Sequence, residues 1–235
     1  VQSRACAALG SPFMERLLNV MASNWPLDEA IATQCKGFKG DLGPNGMSLP
    51  LRLASGLHAL VLTRRCEALV AAFSPHQVTD AQLIAALRTA LAEHQAFLAD
   101  WMTYAPQTNE VRCAAVIIAA AHFAYARYEL PFVTSELGAS AGLNMAWDQF
   151  ELRAGERRFG PENAALSLTP TWTGTAPKAT PITVAEAAGV DLNPLDARRE
   201  DDRLRLLAYL WAAQPYRAEL TKRAMDVQIE QVDQG

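Results

Sequence analysis

Between residues 131 and 144 the chain reads Pro131-Phe132-Val133-Thr134-Ser135-Glu136-Leu137-Gly138-Ala139-Ser140-Ala141-Gly142-Leu143-Asn144. Residues 130–137 form a short apolar and β-branched run that ends at a series of small residues, which predicts a buried strand. The small residues predict a sharp turn, and residues 141–148 a short helix beyond it. A strand that passes through such a turn into a helix commits the chain to an α/β arrangement, because the turn can place the helix back against its own strand. Glycines at 138 and 142 permit positive φ and let the backbone pass close to a bound group, while the first free amides of the following helix point at whatever sits there.

The chain before this segment reads differently. Up to about residue 128 nearly all of it carries helical periodicity. Ser11-Pro12 is a cap followed by proline at the first helical position, after which Phe13, Leu17, Leu18 and Met21 recur at helical spacing. A glycine- and proline-rich loop over residues 36–50 is followed by periodic stretches at 51–70 and 80–102, the second capped by Thr79-Asp80. Another helix opens at Thr108 or Asn109 and runs to about Arg127. After the central turn, residues 150–159 read as a polar hairpin around Ala154-Gly155-Glu156, and residues 161–181, with prolines at 161, 170, 177 and 181, as a surface excursion. Residues 182–191, then helices at 201–213 and 216–227, complete the pass, with residues 227–232 read as the start of another strand. The expected organisation is α/β: a helical N-terminal domain over 1–128 and a Rossmann-like portion over 129–235. So few strands precede residue 235 that the chain is expected to stop partway through a doubly wound sheet.

Composition narrows the classes of function. With 21 basic against 25 acidic residues and a formal charge of -4, the chain lacks the basic field that nucleic-acid binding uses, so no nucleic-acid partner is expected. Its longest apolar run, residues 114–126, is too short to cross a bilayer, and no membrane partner is expected. The opening residues carry no apolar signal segment, and Cys6, Cys35, Cys66 and Cys113 show no metal spacing, so a cytoplasmic protein with reduced core thiols and no metal is the reading.

Glu136-x-Gly138-x-Ser140-x-Gly142 resembles the first motif of class I S-adenosylmethionine-dependent methyltransferases, with serine where that family has its middle glycine. The resemblance implies that the turn admits the methionine part of the cofactor and that the acid at the strand end orients it. Glu136, Gly138, Ala139, Ser140, Gly142 and Asn144 are then the cofactor contacts. Asp191, in Ala188-Gly189-Val190-Asp191, is similar to the acid of the second motif, which accepts hydrogen bonds from ribose hydroxyls. It follows Gly138 by 53 residues (191 minus 138), against about 20 in the usual dinucleotide fingerprint. A competing reading takes Thr183-Val184-Ala185-Glu186 as a capping box for a short helix that ends at Gly189, with Asp191 a turn residue.

The same five turn residues match the G-x-S-x-G elbow of α/β-hydrolases, with Ser140 as nucleophile. In that fold the histidine follows the serine in sequence, whereas His58, His76, His94 and His122 all precede Ser140. A P-loop reading fails for want of a lysine after the second glycine. Small residues at such a turn also serve simply to let a helix pack close on its strand.

Taken whole, the chain resembles the bacterial family known as domain of unknown function 2332. The resemblance runs through Gly10-Ser11-Pro12, Leu49-Pro50-Leu51-Arg52-Leu53, Pro106-Gln107-Thr108-Asn109-Glu110-Val111, the segment 136–144, and Asp191-Leu192-Asn193-Pro194-Leu195-Asp196. It implies kinship and brings no activity with it.

Four hydrogen-bonding side chains, Gln107, Thr108, Asn109 and Glu110, crowd one helix start, which suggests substrate contact by Gln107, Asn109 and Glu110 as well as capping. Asn144 and Asp148, four apart, would share a helix face toward the strand ends, Asp148 as a substrate contact. His58 and His122 lie in apolar helices and read as satisfied core histidines. The expected function is an S-adenosylmethionine-binding, methyltransferase-like enzyme acting on a small molecule, with no catalytic residue assigned. The alternative from another class is a non-catalytic nucleotide- or ligand-binding regulator.

Overall fold

A computed structural model describes residues 1–234, and the chain divides into two compact units. The first comprises Val1–Gln107 with Leu204–Pro215, and the second Thr108–Arg203 with Tyr216–Gly235. The division therefore falls after Gln107, ahead of the boundary at 128 expected from the composition change, and the last long apolar helix goes with the second unit.

The first unit is helical. Its helices are α1 (Gln2–Ala8), α2 (Pro12–Ser23), α3 (Glu29–Gly37), α4 (Leu49–Leu62), α5 (Glu67–Ala72), α6 (Asp80–Glu93) and α7 (Gln95–Trp101). Local signals fix several of their ends. The Ser11 side chain accepts the Met14 amide at the start of α2, and Thr79 and Gln82 form a reciprocal capping box at the start of α6. The faces that follow bury Met14, Leu17, Leu18 and Met21 of α2 and Leu83, Leu87 and Leu91 of α6 in one core with Leu57, Leu60, Leu69 and Phe73. One cation lies in this interior. Arg52 is 5% exposed, and its guanidinium donates to the carbonyls of Met47, Met102 and Thr103, which supply the partners a buried charge requires.

The second unit is mixed α/β. A 3-10 turn at Val111–Cys113 leads into α8 (Ala114–Tyr128), which stops where Glu129 adopts a left-handed conformation. Strand β1 (Phe132–Leu137) pairs in parallel with β5 (Val184–Val190), Glu136 opposite Gly189 and Leu137 opposite Val190. Between them lie a 3-10 segment (Leu143–Gln149) and a second sheet of order β3-β2-β4, built from β2 (Glu151–Ala154), β3 (Arg157–Phe159) and β4 (Ser167–Leu168). Side chains of β1 alternate: Phe132, Thr134 and Glu136 point inward, and Phe132 meets Trp147 of the 3-10 segment edge-on at 6.0 Å, while Val133 and Leu137 point out.

Helices α9 (Glu200–Ala208) and α10 (Pro215–Gln234) close the described chain. Three expectations change here. The helix after the turn is 3-10 and not α. Residues 184–190 are extended, which removes the capping-box reading of Thr183 to Glu186. Residues 227–232 continue α10 and start no strand, because Thr221, Ala224, Met225 and Val227 bury one side of a helix. Among the described residues the parallel sheet has two strands, and no helix is long and apolar enough to cross a membrane.

Candidate functional site

In parallel sheets ligands bind beyond the carboxyl ends of the strands, and here the turn 138–142 and Asp191 lie side by side at those ends. The turn is tied to β5 by the amides of Gly138 and Ala139, which both donate to the Val190 carbonyl at 2.8 and 3.1 Å. It then alternates through positive φ, at +72° for Gly138, +54° for Ser140 and +71° for Gly142. Ser140 is the informative member, since a side-chain-bearing residue in the left-handed region carries strain that the surroundings must impose. They do so on both sides of its peptide. The Ser140 amide donates to Asp191 Oδ2 at 2.8 Å, and its carbonyl accepts the Leu195 amide at 3.1 Å.

Asp191 thus belongs to the turn. Its Oδ1 accepts the Asn193 amide at 2.8 Å, and these bonds from Asn193 and Ser140 hold its carboxyl below the ordinary carboxylate range. Both the turn-residue and the ligand-acid readings of Asp191 are compatible with this place, because each oxygen keeps a lone pair.

The two faces of the turn differ. A Cβ on Gly138 would meet nothing within 4 Å, so that side is open. A Cβ on Gly142 would come within 2.5 Å of Met145 Cε and 3.3 Å of the Gln228 amide nitrogen, so that side is filled by two flexible side chains. Ala139 is a packing residue, lying where a side chain on Gly189 would come within 2.7 Å of its Cβ. The cavity beside the turn, between Ala141, Leu195, Asp196 and Gln228, holds about 180 Å³.

Beneath the turn, Glu136 faces Asn144. Burial pushes the Glu136 carboxyl above its usual value, the hydrogen bond from Asn144 pulls it back, and Oε2 is buried without a partner. Asn144 also donates from Nδ2 to the Glu110 carbonyl at 3.4 Å. The neighbouring Asn109, 6% exposed, accepts the Leu143 amide on Oδ1 at 2.9 Å. The first amide of the segment after the turn, expected to face a ligand, is therefore held by Asn109. Burial alone would raise the Glu110 carboxyl, but hydrogen bonds from Arg112 and the charges of Arg217 and Arg112 keep it low. Glu110, and not Thr108 or Asn109, caps the 3-10 turn by accepting the Arg112 amide.

Gln107 ends the first unit. Of the expected substrate contacts, Asp148 is not brought to the turn. Asp148 lines a separate cavity of about 330 Å³ with His122, Trp147 and Thr180, because at three residues per turn positions 144 and 148 do not share a face. His122 is buried, and its Nδ1 accepts the Thr180 amide at 3.1 Å, as a satisfied core histidine does. It is the second unit's one histidine and is so engaged that it gives Ser140 no visible support as an elbow nucleophile. His58 is half-buried, with Nδ1 3.1 Å from the Ala208 carbonyl. A further cavity, about 650 Å³ and mostly apolar, lies in the helical unit and includes Trp25, Cys35 and Met102. Leu195, Arg217 and Gln228 were not legible as site residues, since no local pattern ties them to a turn 50 or more residues away, and Met145, close after the turn, reads only as a helix residue.

The chain belongs to a family described as uncharacterized proteins conserved in bacteria (DUF2332), which matches it over residues 1–234. No curated protein and no solved structure matches it.

Proposed function

We propose that this member of the DUF2332 family binds a nucleoside-bearing cofactor of positive charge, S-adenosylmethionine, at the carboxyl ends of β1 and β5, and acts as a methyltransferase-like enzyme on a small molecule. The observation that carries the reading is the strained turn at Gly138, Ser140 and Gly142, pinned by the acid that follows the adjacent parallel strand. Strain of this kind concentrates at binding sites. On this reading the parallel pair β1 and β5 would be the opening strands of a Rossmann-like sheet.

The donor inventory favours such a cofactor over a phosphate-anchored one. The amides of Gly138, Ala139, Ser140, Gly142 and Leu143 all have acceptors inside the protein, so the turn offers few free donors to a phosphate. Its free capacity is in acceptors: the remaining lone pairs of Asp191 and the orphan Oε2 of Glu136. Hydroxyl and ammonium groups match acceptors, and a sulfonium is attracted by neighbouring carboxylates. Asp191 would take ribose hydroxyls, Gly138 would give the backbone its close approach, and Glu136, whose carboxyl also takes the Asn144 hydrogen bond, would offer Oε2 to the ammonium group. The cofactor supplies an activated methyl group for direct displacement; the protein's part is to position the acceptor and exclude water.

A sensor that binds without turnover is the second reading. The hollow of about 180 Å³ beside the turn favours it, being smaller than the roughly 300–1,000 Å³ of ordinary ligand sites and leaving little room for a second molecule. Calorimetric titration with S-adenosylmethionine separates the cases. Saturable heat in the wild type, lost in Gly138→Val, is expected; no heat at high micromolar ligand overturns both readings, and binding without methyl transfer to any small-molecule pool leaves the sensor.

A further inference from the structure

We propose that Cys66, Glu93 and His94 form a binding site for one divalent metal ion of the zinc class, in the helical unit and independent of the β1–β5 turn. One donor atom from each of the three side chains lies within 4.8 Å of the other two. Cys66 is the residue that enters α5, Glu93 is the last residue of α6, and His94 joins α6 to α7. At His94 the backbone leaves helical geometry, with φ -120° and ψ 26°. Consecutive side chains on an unbroken helix diverge by about 100°. At this break Glu93 and His94 instead converge on the same thiol.

The chemistry of the three groups selects the ion. Thiolate, imidazole and carboxylate are together a zinc set, and the sulfur argues against magnesium or calcium, which take oxygen ligands. With metal–ligand bonds of about 2.0–2.3 Å, tetrahedral donors stand roughly 3.3–3.8 Å apart, so side-chain rotations of about 1 Å complete the site. Three protein ligands leave the fourth position to water.

Two further observations point to a missing partner. The Nε2 of His94 is buried and makes no hydrogen bond, a rare condition for a buried ring nitrogen and one that a metal satisfies. Cys66 is 2% exposed and forms no disulfide, while Glu93 is exposed and offers the ion a way in from solvent. Bound metal would staple the start of α5 to the α6–α7 junction. Cysteine spacing alone gives no sign of it, because Cys66 and His94 stand 28 residues apart (94 minus 66).

The test uses the full chain, stripped of metal by chelation and titrated with Co²⁺ as the probe. One equivalent per chain is expected, with the thiolate-to-cobalt absorption and the intense visible bands of a four-coordinate ion, displaced on adding Zn²⁺. Cys66→Ser should abolish the thiolate band. Glu93→Gln, an exposed change that leaves the helical core alone, should weaken binding by more than about tenfold, the least that loss of even an outer-shell partner commonly costs. The far-ultraviolet circular dichroism of each variant reports that the helices persist. Absence of a thiolate band in the wild type at millimolar Co²⁺, or its persistence in folded Cys66→Ser, overturns the proposal.

Discussion

Asn109→Ala isolates what holds the candidate site in shape. Its Oδ1 is the acceptor for the Leu143 amide at 2.9 Å; Asn109 is 6% exposed and Leu143 fully buried. Alanine removes the acceptor and leaves the amide no water to turn to, so the loss is the desolvation penalty of a buried donor, about 1–3 kcal/mol, and not merely the net value of one hydrogen bond. Taking about 2 kcal/mol, the population of locally opened molecules rises about 30-fold. Two measurements follow that number. Hydrogen exchange at the Leu143 amide should accelerate by that order, and urea unfolding followed by the fluorescence of Trp147 should shift to lower denaturant. Because the chain has two units, the transition of the second is the one to compare. Asn109→Asp keeps an acceptor in place and should lose far less. If Asn109→Ala stays within about 0.5 kcal/mol of the wild type, as an ordinary surface change does, with Leu143 exchange unaltered, the clamp is not holding the turn.

Other perturbations act on the acids and glycines of the same site. The folded-state pKa of Asp191 lies below the ordinary 3.8, so its contribution to stability is present above that value and is lost as pH falls through the folded pKa. Asp191→Asn should therefore flatten the acid limb of a stability–pH profile, and an unchanged limb would refute the role of its two amide bonds. Glu136 has the opposite sign: burial raises its pKa above the ordinary 4.5, so its ionisation destabilises the fold as pH rises from there through the folded value. Glu136→Gln should be more stable than the wild type at neutral pH and should lose that advantage in acid, as chemical denaturation at two pH values will tell. Gly138→Ala and Gly142→Ala both place a side chain at positive φ, at about 1–2 kcal/mol each, but only the second also displaces Met145 and Gln228. Gly142→Ala should melt lower than Gly138→Ala; equal melting points would mean the filled face has slack.

How much of this was legible in the sequence depends on the range of the interaction concerned. The strand at 132–137, the turn and the hairpin around Gly155 are written in adjacent residues, through β-branched alternation and small side chains, and they appear where that pattern places them. Helices α2 and α6 of the first unit are equally local, each with its side-chain cap and apolar stripe, whereas the breaks that divide residues 51–70 between α4 and α5, and residues 80–102 between α6 and α7, were not expected. The 3-10 form of residues 143–149 was not legible, because it is imposed from outside: Asn109 takes the leading amide, and Phe132 fixes Trp147 on the strand. Nor could local pattern decide between turn residue and ligand acid for Asp191, since its place beside Ser140 follows from pairing β1 with a strand that begins 47 residues after β1 ends (184 minus 137). The clustering at the helix start, Gln107 to Glu110, signalled more than capping. Its surplus side chains serve the turn from beneath, Asn109 by its acceptor and Glu110 by its backbone carbonyl and two arginine partners. That outcome bears on the ligand. A turn whose amides at Gly138, Ala139, Ser140 and Gly142, with that of Leu143 after it, are already taken by Val190, Asp191, Ala139 and Asn109 has been built to hold its own shape first. Under the proposed function, a ligand there would be recognised by what it donates to the two carboxyl groups, which is why we propose a hydroxyl- and ammonium-bearing cation and not a nucleotide held by its phosphates.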